Sequence, residues 1–301
     1  MILTVFMSAY NAMPYLPLAV DSILRQTWSE FKLLIVDDGS TDDTQEYLRT
    51  LTDPRVVSLR QENRGCGATA NRGLEMCDTP LMARMDADDI AHPERLAAQM
   101  EFLGRNPQTG MLGTQIAYLV EDRKIPAMDF PAGHDAICRA LAAKRCPLCH
   151  PALIFNTAIA RSIGGYRAEG FGEDIDFMLR FTERARVANL TSILHFQRIH
   201  NRSGTFRSSR IMARGQSYAL YCAGLRRRNL AEPKFAEYLE TMVNRMGFAS
   251  RAAETIEAWA TVQYRKSIID RAMDRPISAY ARLGLLALLR PKAVFSRLVS
   301  G

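Results

Sequence analysis

The sequence lacks any apolar run long enough to cross a bilayer. Its longest candidate, residues 283–289, is far shorter than the ~18 apolar residues that a membrane-spanning helix needs. The opening residues, MILTVFMSAY, contain neither a basic segment nor a small-residue cleavage site, so we expect no secretory signal. The six cysteines are scattered along the chain. We therefore predict a cytoplasmic protein whose thiols are reduced.

The sequence also lacks internal repeats and low-complexity stretches. Of its 301 residues, 48% are hydrophobic and 24% are charged. This composition is typical of a soluble globular protein, and the length accommodates one α/β domain with an appendage.

Acidic residues are scarce in the last part of the chain. Residues 184–301 contain 7 Asp and Glu against 21 Lys and Arg, a net charge of +14, whereas residues 1–183 carry −7. This division predicts different partners for the two parts. A basic region can attract nucleic acid, an anionic membrane surface or phosphorylated ligands. We expect no nucleic-acid partner, because aromatic residues do not interleave the basic runs and no nucleic-acid fold is apparent.

The first hundred residues alternate between short apolar segments and amphipathic ones. Strands are predicted at residues 2–7, 33–36, 56–59 and 81–85, and helices near residues 14, 41–42, 65 and 93. The strands are continuously apolar, which is typical of a parallel sheet covered on both faces. After residue 208 the pattern predicts helices almost throughout, with breaks near residues 232–233, 247 and 276.

Polar residues follow three of the predicted strands where each strand ends, in residues 8–11, 37–40 and 86–89. In a parallel sheet the carboxyl ends of the strands meet at one edge, and ligands bind beyond that edge. The sequence therefore predicts one ligand site to which all three segments contribute.

Three carboxylates lie close together in the stretch RMDADD, residues 84–89. They repel one another unless a positive charge lies between them. Asp86 and Asp88 can turn toward one ligand, and two carboxylates suit a hard divalent cation such as Mg²⁺ or Mn²⁺. The alternative is a solvated turn in which Asp89 caps the following helix.

Two further acidic pairs each have two interpretations. Asp37 and Asp38 can accept hydrogen bonds from a nucleotide base or ribose, or they can serve a turn, while Thr41 or Asp42 caps the helix that follows. Glu173 and Asp174 begin a predicted helix, where acidic side chains are stabilised by the helix dipole. Asp174 or its neighbour can instead act as a general base toward an acceptor hydroxyl.

Six motifs occur in order along the chain: SAYN at 8–11, VDDGSTDDT at 36–44, NRGCGATANRG at 63–73, DADD at 86–89, GGY at 164–166 and GEDIDFMLR at 172–180. Together they resemble the family 2 inverting glycosyltransferases. The resemblance covers residues 1–205 and implies the GT-A fold, a Rossmann-like α/β domain with a mostly parallel sheet and helices on both faces. Residues 206–301 are then a basic helical C-terminal extension.

The same resemblance implies an activity. It is metal-dependent transfer of a sugar from a nucleotide diphosphate, UDP by similarity, to a glycan or lipid-linked acceptor in cell-surface polysaccharide or lipopolysaccharide synthesis. The implied nucleotide contacts are Ala9, Tyr10, Asn11, Asp37, Arg64, Asn71 and Asp86. The implied ligands of Mn²⁺ or Mg²⁺ are Asp88 and His200, and the implied catalytic base is Asp174. His150 and Glu173 are implied to lie beside the donor or acceptor pocket. A structural role is the alternative for His200.

The stretch CPLCH, residues 146–150, matches the C-x-x-C-H pattern of covalent haem attachment. That attachment requires export, and no export signal is visible. A zinc site would need further ligands at suitable spacing, and no second C-x-x-C is present. We therefore predict ordinary core or pocket thiols.

The last segment combines apolar residues with scattered basic ones. Residues 277–290 carry few charges, and residues 291–298 intersperse Lys and Arg among Val, Phe and Leu. Such a stretch can lie in a membrane interface, so we predict a peripheral location at the inner face of the cell membrane. A helix packed on the catalytic domain and a homodimer contact are the alternatives.

Two other functions are compatible with the predicted sheet. A sugar nucleotidyltransferase would need a Gly-rich, basic phosphate loop after the first strand, where this chain has SAYNAMPYL. A catalytically silent membrane scaffold would be expected to have lost a carboxylate, whereas DADD and the Glu173–Asp174 pair are intact.

Overall fold

The computed structural model describes residues 2–127, 129–167, 172–200 and 209–289, which form two compact units. The first unit comprises residues 2–117, 130–167 and 173–197. The second comprises residues 118–127, 129, 172, 198–200 and 209–289. Within these described ranges, every helix is too short or too polar to cross a membrane.

Nine strands of the described residues form one sheet. Their bounds are β1 Leu3–Ala9, β2 Phe31–Asp37, β3 Val56–Arg60, β4 Leu81–Asp86, β5 Ile90–Ala91, β6 Thr109–Val120, β7 Arg123–Pro126, β8 Ile154–Asn156 and β9 Arg186–Arg198. The strand order is β3-β2-β1-β4-β8-β6-β9-β5, and β7 pairs with β6 off this path. The pairs among β1, β2, β3 and β4 are parallel, as their apolar pattern predicts, whereas β8 joins β4 and β6 antiparallel.

Helices connect and cover the strands. Their bounds are α1 Leu16–Leu24, α2 Thr44–Thr50, α3 Cys66–Met76, α4 Arg95–Arg105, α5 His134–Ala142, α6 Thr157–Ser162, α7 Glu173–Thr182, α8 Ser209–Arg226, α9 Phe235–Arg245, α10 Phe248–Ala272 and α11 Pro276–Leu289, with a short 3-10 helix at His150–Ala152. The predicted helical pattern after residue 208 is confirmed, because α8 to α11 are separated at the predicted breaks.

The core of the first unit is built around β1, the strand with β2 on one side and β4 on the other. Six of the seven residues of β1 are buried. Against the sheet, α1 buries Leu16, Ala19, Val20 and Ile23, which recur at i, i+3, i+4 and i+7 and so form one apolar stripe. This packing fixes where the carboxyl ends of the strands lie.

The second unit is not confined to the C-terminal part of the chain. The sequence predicts a division between residues 205 and 206, which lie outside the described residues. In the structure, residues 118–127 group with the helices after residue 208. The physical reason is packing, since Val120, Ile268 and Ala272 form a buried cluster against which Tyr118 and Ile125 pack.

Candidate active site

The ends of β1, β2 and β4 lie side by side at the carboxyl edge of the sheet. In the strand register Ala9 pairs with Asp37, and Ser8 pairs with Asp86. Because hydrogen-bonded strands are ~4.8 Å apart, the polar segments that follow these strands begin as neighbours. The predicted meeting of the three segments at one edge is therefore confirmed.

Hydrogen bonds join the loop after β1 to the loop after β2. The Asn11 backbone N–H donates to Ser40 Oγ at 2.9 Å, and Asn11 Oδ1 accepts from the Thr41 N–H at 2.7 Å. Asp42 accepts from the N–H groups of Met13 and Thr44, each at 3.1 Å. Asp42 thus binds the N–H of the first residue of α2, although the N-cap residue of that helix is Asp43, whose side chain makes no capping hydrogen bond.

Asp37 and Asp38 perform different tasks although they are adjacent. Asp38 Oδ1 accepts from the Arg64 N–H and Oδ2 from the Gly65 N–H, both at 2.9 Å, so this carboxylate anchors the loop that enters α3. Asp37 Oδ1 accepts from the Ser40 N–H at 2.9 Å. Its Oδ2 lies 3.8 Å from Arg60 Nε and has no hydrogen bond among the described residues. Of these two carboxylates, Asp37 is therefore the one with a buried oxygen, Oδ2, that accepts no hydrogen bond from the described residues.

Asp86, Asp88 and Asp89 form the acidic cluster of the site. One carboxylate oxygen of each lies within 4.8 Å of the others. Arg84 Nη2 donates to Asp86 Oδ1 at 3.1 Å, and the Arg84 guanidinium lies over the Phe6 ring, 4.9 Å from its centroid. Arg84 therefore supplies part of the positive charge that the three carboxylates need.

The charge of Arg84 does not neutralise the cluster. Burial raises the pKa of Asp86 to about 6. The positive charge of Arg84 opposes this shift, and the negative charges of Asp88 and Asp174 add to it. A divalent cation would relieve the repulsion, and three converging carboxylate oxygens are a donor set that suits Mg²⁺ or Mn²⁺. The residues present fit such an ion.

Glu173 and Asp174 begin α7, far from the acidic cluster in the sequence, yet Asp174 interacts with that cluster electrostatically. The charge of Asp174 acts on Asp86, as described above. Burial raises the pKa of Asp174, and hydrogen bonds from the backbone, including the Ile175 N–H at 2.8 Å, partly offset that rise. A buried carboxylate with a raised pKa is a stronger base than a solvated one.

Cys66, at the start of α3, interacts electrostatically with carboxylates of three separate segments. Desolvation raises the pKa of Cys66 to about 11, and the negative charges of Glu173, Asp86 and Asp38 contribute to the rise. Asp38 directly follows β2, Asp86 is the last residue of β4, and Glu173 is the first residue of α7. Acidic groups from three separate segments therefore act electrostatically on Cys66, an exposed residue of the first unit.

Asn71 and Tyr166 connect α3 to the segment before α7. Asn71 Nδ2 donates to the Tyr166 carbonyl and Asn71 Oδ1 accepts from the Tyr166 N–H, both at 2.7 Å. The Tyr166 ring stacks on Phe177 with 4.1 Å between centroids, and its hydroxyl lies 2.8 Å from His150 Nε2. Burial lowers the pKa of His150 well below its usual value, so its imidazole is neutral at pH 7. The observed bonds give Asn71 a structural task.

Gly165→Ala should lower the free energy of unfolding by about 2–4 kcal/mol, because it combines backbone strain with a clash. Gly165 has φ +65°, and an added Cβ would lie 2.4 Å from Asn71 Oδ1. Gly164→Ala is the matched control, since Gly164 also has a positive φ of +80° but open space around its Cβ position. It should cost only about 1–2 kcal/mol. Urea unfolding measures both, and equal losses would contradict the role of the Asn71 clamp.

The remaining predicted residues have the following positions. Tyr10 is 53% exposed just after β1. Arg64 uses its backbone N–H on Asp38, as described above. His200 belongs to the second unit. Cys146 Sγ donates to the Leu148 carbonyl at 3.2 Å. The ligand-binding roles that the resemblance implies for these and the other site residues stay predictions.

Sequence reasoning missed three polar residues of the site, Arg84, Arg95 and His195. Arg95 and His195 are fully buried, and His195 Nε2 lies 2.8 Å from Asp89 Oδ2. The only signal for Arg84 was a charged residue inside an apolar strand. Arg95 is the first residue of α4, where a charge is normally solvated, so its sequence position gave no signal.

Comparisons with known proteins identify the family of this chain. The model of the family described as "Glycosyl transferase family 2" matches residues 4–162. The O-antigen biosynthesis glycosyltransferase WbnJ from Escherichia coli is 31% identical over 208 residues, which cover 67% of this chain and 81% of WbnJ.

Solved structures are similar over nearly the whole chain. TarS residues 1–349 from S. aureus, in complex with UDP-GlcNAc, has a TM-score of 0.63 and 15% identity, covering 97% of this chain and 92% of that one. The mannosyltransferase PcManGT from Pyrobaculum calidifontis, in complex with GDP-Man and Mn²⁺, has a TM-score of 0.57 and 17% identity, covering 96% of this chain and 87% of that one. The predicted GT-A fold and its helical C-terminal region are confirmed.

Proposed function

We propose that this chain, which belongs to glycosyl transferase family 2, moves a sugar from a UDP-sugar to an acceptor hydroxyl with inversion at the anomeric carbon. The observation that carries the proposal is the acidic cluster of Asp86, Asp88 and Asp89, together with Asp174, whose charge acts on Asp86 within the first unit. Sugar transfer needs a counter-charge for a leaving diphosphate and a base for an acceptor, and these carboxylates can provide both.

Mn²⁺ or Mg²⁺ is the proposed cofactor. Asp88 would hold the ion, with Asp86 and Asp89 beside it and His200 as a further ligand by resemblance. When bound, the ion supplies charge stabilisation for the departing diphosphate. PcManGT was solved with Mn²⁺ and GDP-Man, which supports a cation in a related fold.

The nucleotide is proposed to lie beyond the ends of β1 and β2. Tyr10 presents a half-exposed ring there, which can stack on a base. Asp37 Oδ2, the buried oxygen without a hydrogen bond, can accept from the N–H of a base when the neighbouring loop moves and exposes it. Ala9 and Asn11 line this edge, and Arg64 and Asn71 lie before and within α3. The UDP-GlcNAc complex of TarS supports a UDP donor.

Asp174 is the proposed catalytic base. Its pKa, raised by burial, favours uptake of the proton from the acceptor hydroxyl. The acceptor oxygen then attacks the anomeric carbon on the face opposite the diphosphate, the bond to the diphosphate breaks, and the configuration inverts. Glu173 and His150 are placed beside the same reaction centre by resemblance, and Glu173 adjoins Asp174 in α7.

A panel of nucleotide sugars tested by thermal shift with Mn²⁺ is the experiment for this proposal. A donor present at 100 times its Kd should stabilise the protein by ~2.7 kcal/mol, and an acceptor should then release UDP. A silent scaffold would be stabilised without releasing UDP, and a nucleotidyltransferase would instead release pyrophosphate from UTP and a sugar phosphate. Absence of both stabilisation and UDP release across the panel would contradict the proposal.

The acceptor is proposed to be a glycan or lipid-linked intermediate of cell-surface polysaccharide or lipopolysaccharide synthesis. This assignment is supported by WbnJ, which is named for O-antigen biosynthesis. A lipid-linked acceptor would place the enzyme at the inner face of the membrane.

The outer face of α11 is the proposed membrane contact. One face of α11 packs on α10, with Ala279 fully buried and Arg282 Nε bonded to Asp270 Oδ2 at 2.7 Å. The other face leaves Ile277 85% exposed and Tyr280 68% exposed. The helix contains no acidic residue, as expected for a surface that meets anionic lipid.

Ile277→Glu combined with Tyr280→Glu should reduce flotation of the full chain with vesicles that contain phosphatidylglycerol. The change adds two negative charges to an apolar surface, and burying apolar area drives interfacial binding. Leu230→Glu is the control, because Leu230 is also exposed, at 45%, but lies between α8 and α9. Undiminished flotation of the double variant would show that this face of α11 is not the membrane contact. A change of oligomeric state instead would identify it as a homodimer contact.

A further inference from the structure

Arg95 is a fully buried cation that contacts three parts of the site's framework. Its Nη2 atom donates to the Arg84 carbonyl at 2.7 Å, near the end of β4. Its Nε atom donates to Gln99 Oε1 at 3.2 Å within α4. Its Nη1 atom lies 3.3 Å from His195 Nδ1 in β9 and 3.5 Å from the Met85 sulfur. A buried charge is tolerated when hydrogen bonds stabilise it, and each of the three guanidinium nitrogens of Arg95 has a partner.

The bond to Arg95 determines the tautomer of His195. A guanidinium can only donate, so His195 Nδ1 must accept. In a neutral imidazole the proton then lies on Nε2, which is 2.8 Å from Asp89 Oδ2 and donates to it. A protonated Nδ1 would point a donor at the Arg95 guanidinium 3.3 Å away, so the imidazole that fits this geometry is the neutral one. A one-way chain of donors therefore runs from Arg95 through His195 to Asp89.

Strand pairing places this chain directly against the acidic cluster. The short strand β5 follows Asp89 without an intervening loop. It pairs antiparallel with β9, in a register that sets Ala91 opposite His195 and Ile90 opposite Phe196. The His92 N–H also donates to the Leu194 carbonyl at 3.0 Å. The backbone on the C-terminal side of the acidic cluster is thus fixed to β9, and His195 is the β9 side chain that reaches back to Asp89.

We infer that His195, held by Arg95, is a positioning residue that orients the Asp89 carboxylate within the acidic cluster, so that Asp89 joins the other carboxylates of the cluster around a divalent cation. The inference rests on the metal dependence proposed above. An imidazole that donates to a carboxylate fixes its direction, and partners of this kind typically change metal affinity 10–100-fold when they are replaced. The sequence motif identifies Asp86 and Asp88, whereas the buried chain identifies Asp89 as the third member.

Two variants of His195 separate positioning from mere structural support. In His195→Gln, the amide nitrogen takes the place of Nε2 and can still donate to Asp89. In His195→Asn, the amide oxygen takes the place of Nδ1 and can accept from Arg95, but the donor to Asp89 is lost. Both variants lose the ring and should lose similar thermal stability. Only His195→Asn should weaken Mn²⁺ binding, by about 10–100-fold.

The test of this inference is the dissociation constant of Mn²⁺. It is measured on the full chain without donor, from the electron paramagnetic resonance signal of the free ion. Tight binding by wild type and His195→Gln with weak binding by His195→Asn supports the inference. Equal affinity in all three proteins overturns it, and so does equal weakening in both variants. If the wild type binds neither Mn²⁺ nor Mg²⁺, the proposed metal dependence fails, and the inference fails with it.

A measurement on the wild type covers the case in which the variants do not fold. Histidine side-chain 15N–1H spectra should show a buried, exchange-protected Nε2–H for His195. That resonance should shift on addition of diamagnetic Mg²⁺, because the ion withdraws charge from the Asp89 carboxylate that accepts this proton. An Nε2–H resonance that is unchanged at saturating Mg²⁺ overturns the inference, whereas a shift that saturates with the metal supports it.

Discussion

Asp174→Asn should lower turnover about 10²–10⁴-fold while the affinity for the donor changes only a few-fold. The amide keeps the size of the carboxylate, but it cannot take the proton from the acceptor hydroxyl. Donor affinity is spared because the proposed nucleotide and metal contacts lie on other segments, after β1, β2 and β4. Steady-state kinetics and donor titration calorimetry measure the two quantities separately.

The control for this variant is Asp21→Asn, which changes a carboxylate that is paired with Arg25 on the surface. It should leave turnover unchanged. The pH dependence of the wild type provides a second check. Because burial raises the pKa of Asp174, the protonated, inactive form persists to a higher pH than for a solvated aspartate. Thus kcat/KM should rise with pH through that pKa, and Asp174→Asn should lose this rise. Retained turnover in Asp174→Asn would remove it from the role of base.

Asp88→Asn should lower Mn²⁺-dependent transfer about 10²–10³-fold, which is the effect of removing one preorganised electrostatic contact at a developing charge. The substitution removes one charge from three carboxylates whose oxygens lie within 4.8 Å. It should also lower the pKa of Asp86, because the negative charge of Asp88 is one of the causes of its raised value. Metal titrations followed by calorimetry test the first effect, and their pH dependence tests the second.

The sign of that pH dependence follows from Asp86. Its pKa of about 6 means that it is mostly ionised at pH 7.5 and mostly protonated at pH 5. Since a metal competes with that proton, Mn²⁺ affinity in the wild type should fall as the pH drops below about 6. In Asp88→Asn the fall should begin at a lower pH. Asp122→Asn, at an exposed carboxylate, is the control and should change neither quantity. Unaltered Mn²⁺ affinity in Asp88→Asn would contradict its assignment as a ligand.

The sheet edge could be predicted from the sequence because parallel strands impose it. Once β1, β2 and β4 are assigned from their apolar runs, the polar residues at their carboxyl ends must meet. The same reasoning could not assign different roles to Asp37 and Asp38, because they are adjacent and chemically identical. Only the path of the loop before α3 reveals that Asp38 is bound to the N–H groups of Arg64 and Gly65.

Other parts of the site were beyond sequence reasoning because they depend on contacts between distant segments. The bonds between Asn71 and Tyr166 join residues 95 positions apart, and the bond between His195 and Asp89 spans 106 positions. Local periodicity contains no information on such pairs. The grouping of residues 118–127 with the helical unit has the same origin, since it depends on packing of Val120 against α10.

The buried pair of Arg95 and His195 gives the site an unusual response to mild acid. Burial lowers the pKa of Arg95 to about 10, and the pKa of His195 lies well below its usual range. An unfolded histidine takes up a proton near pH 6.5, whereas the buried His195 does not, so between about pH 8 and 5 its contribution makes the folded state less stable relative to the unfolded one. Asp86 does titrate in that interval. Acidification should therefore weaken cation binding through Asp86 and, through His195, also lower the free energy of unfolding, so one pH drop acts on both the cation site and the fold that supports it.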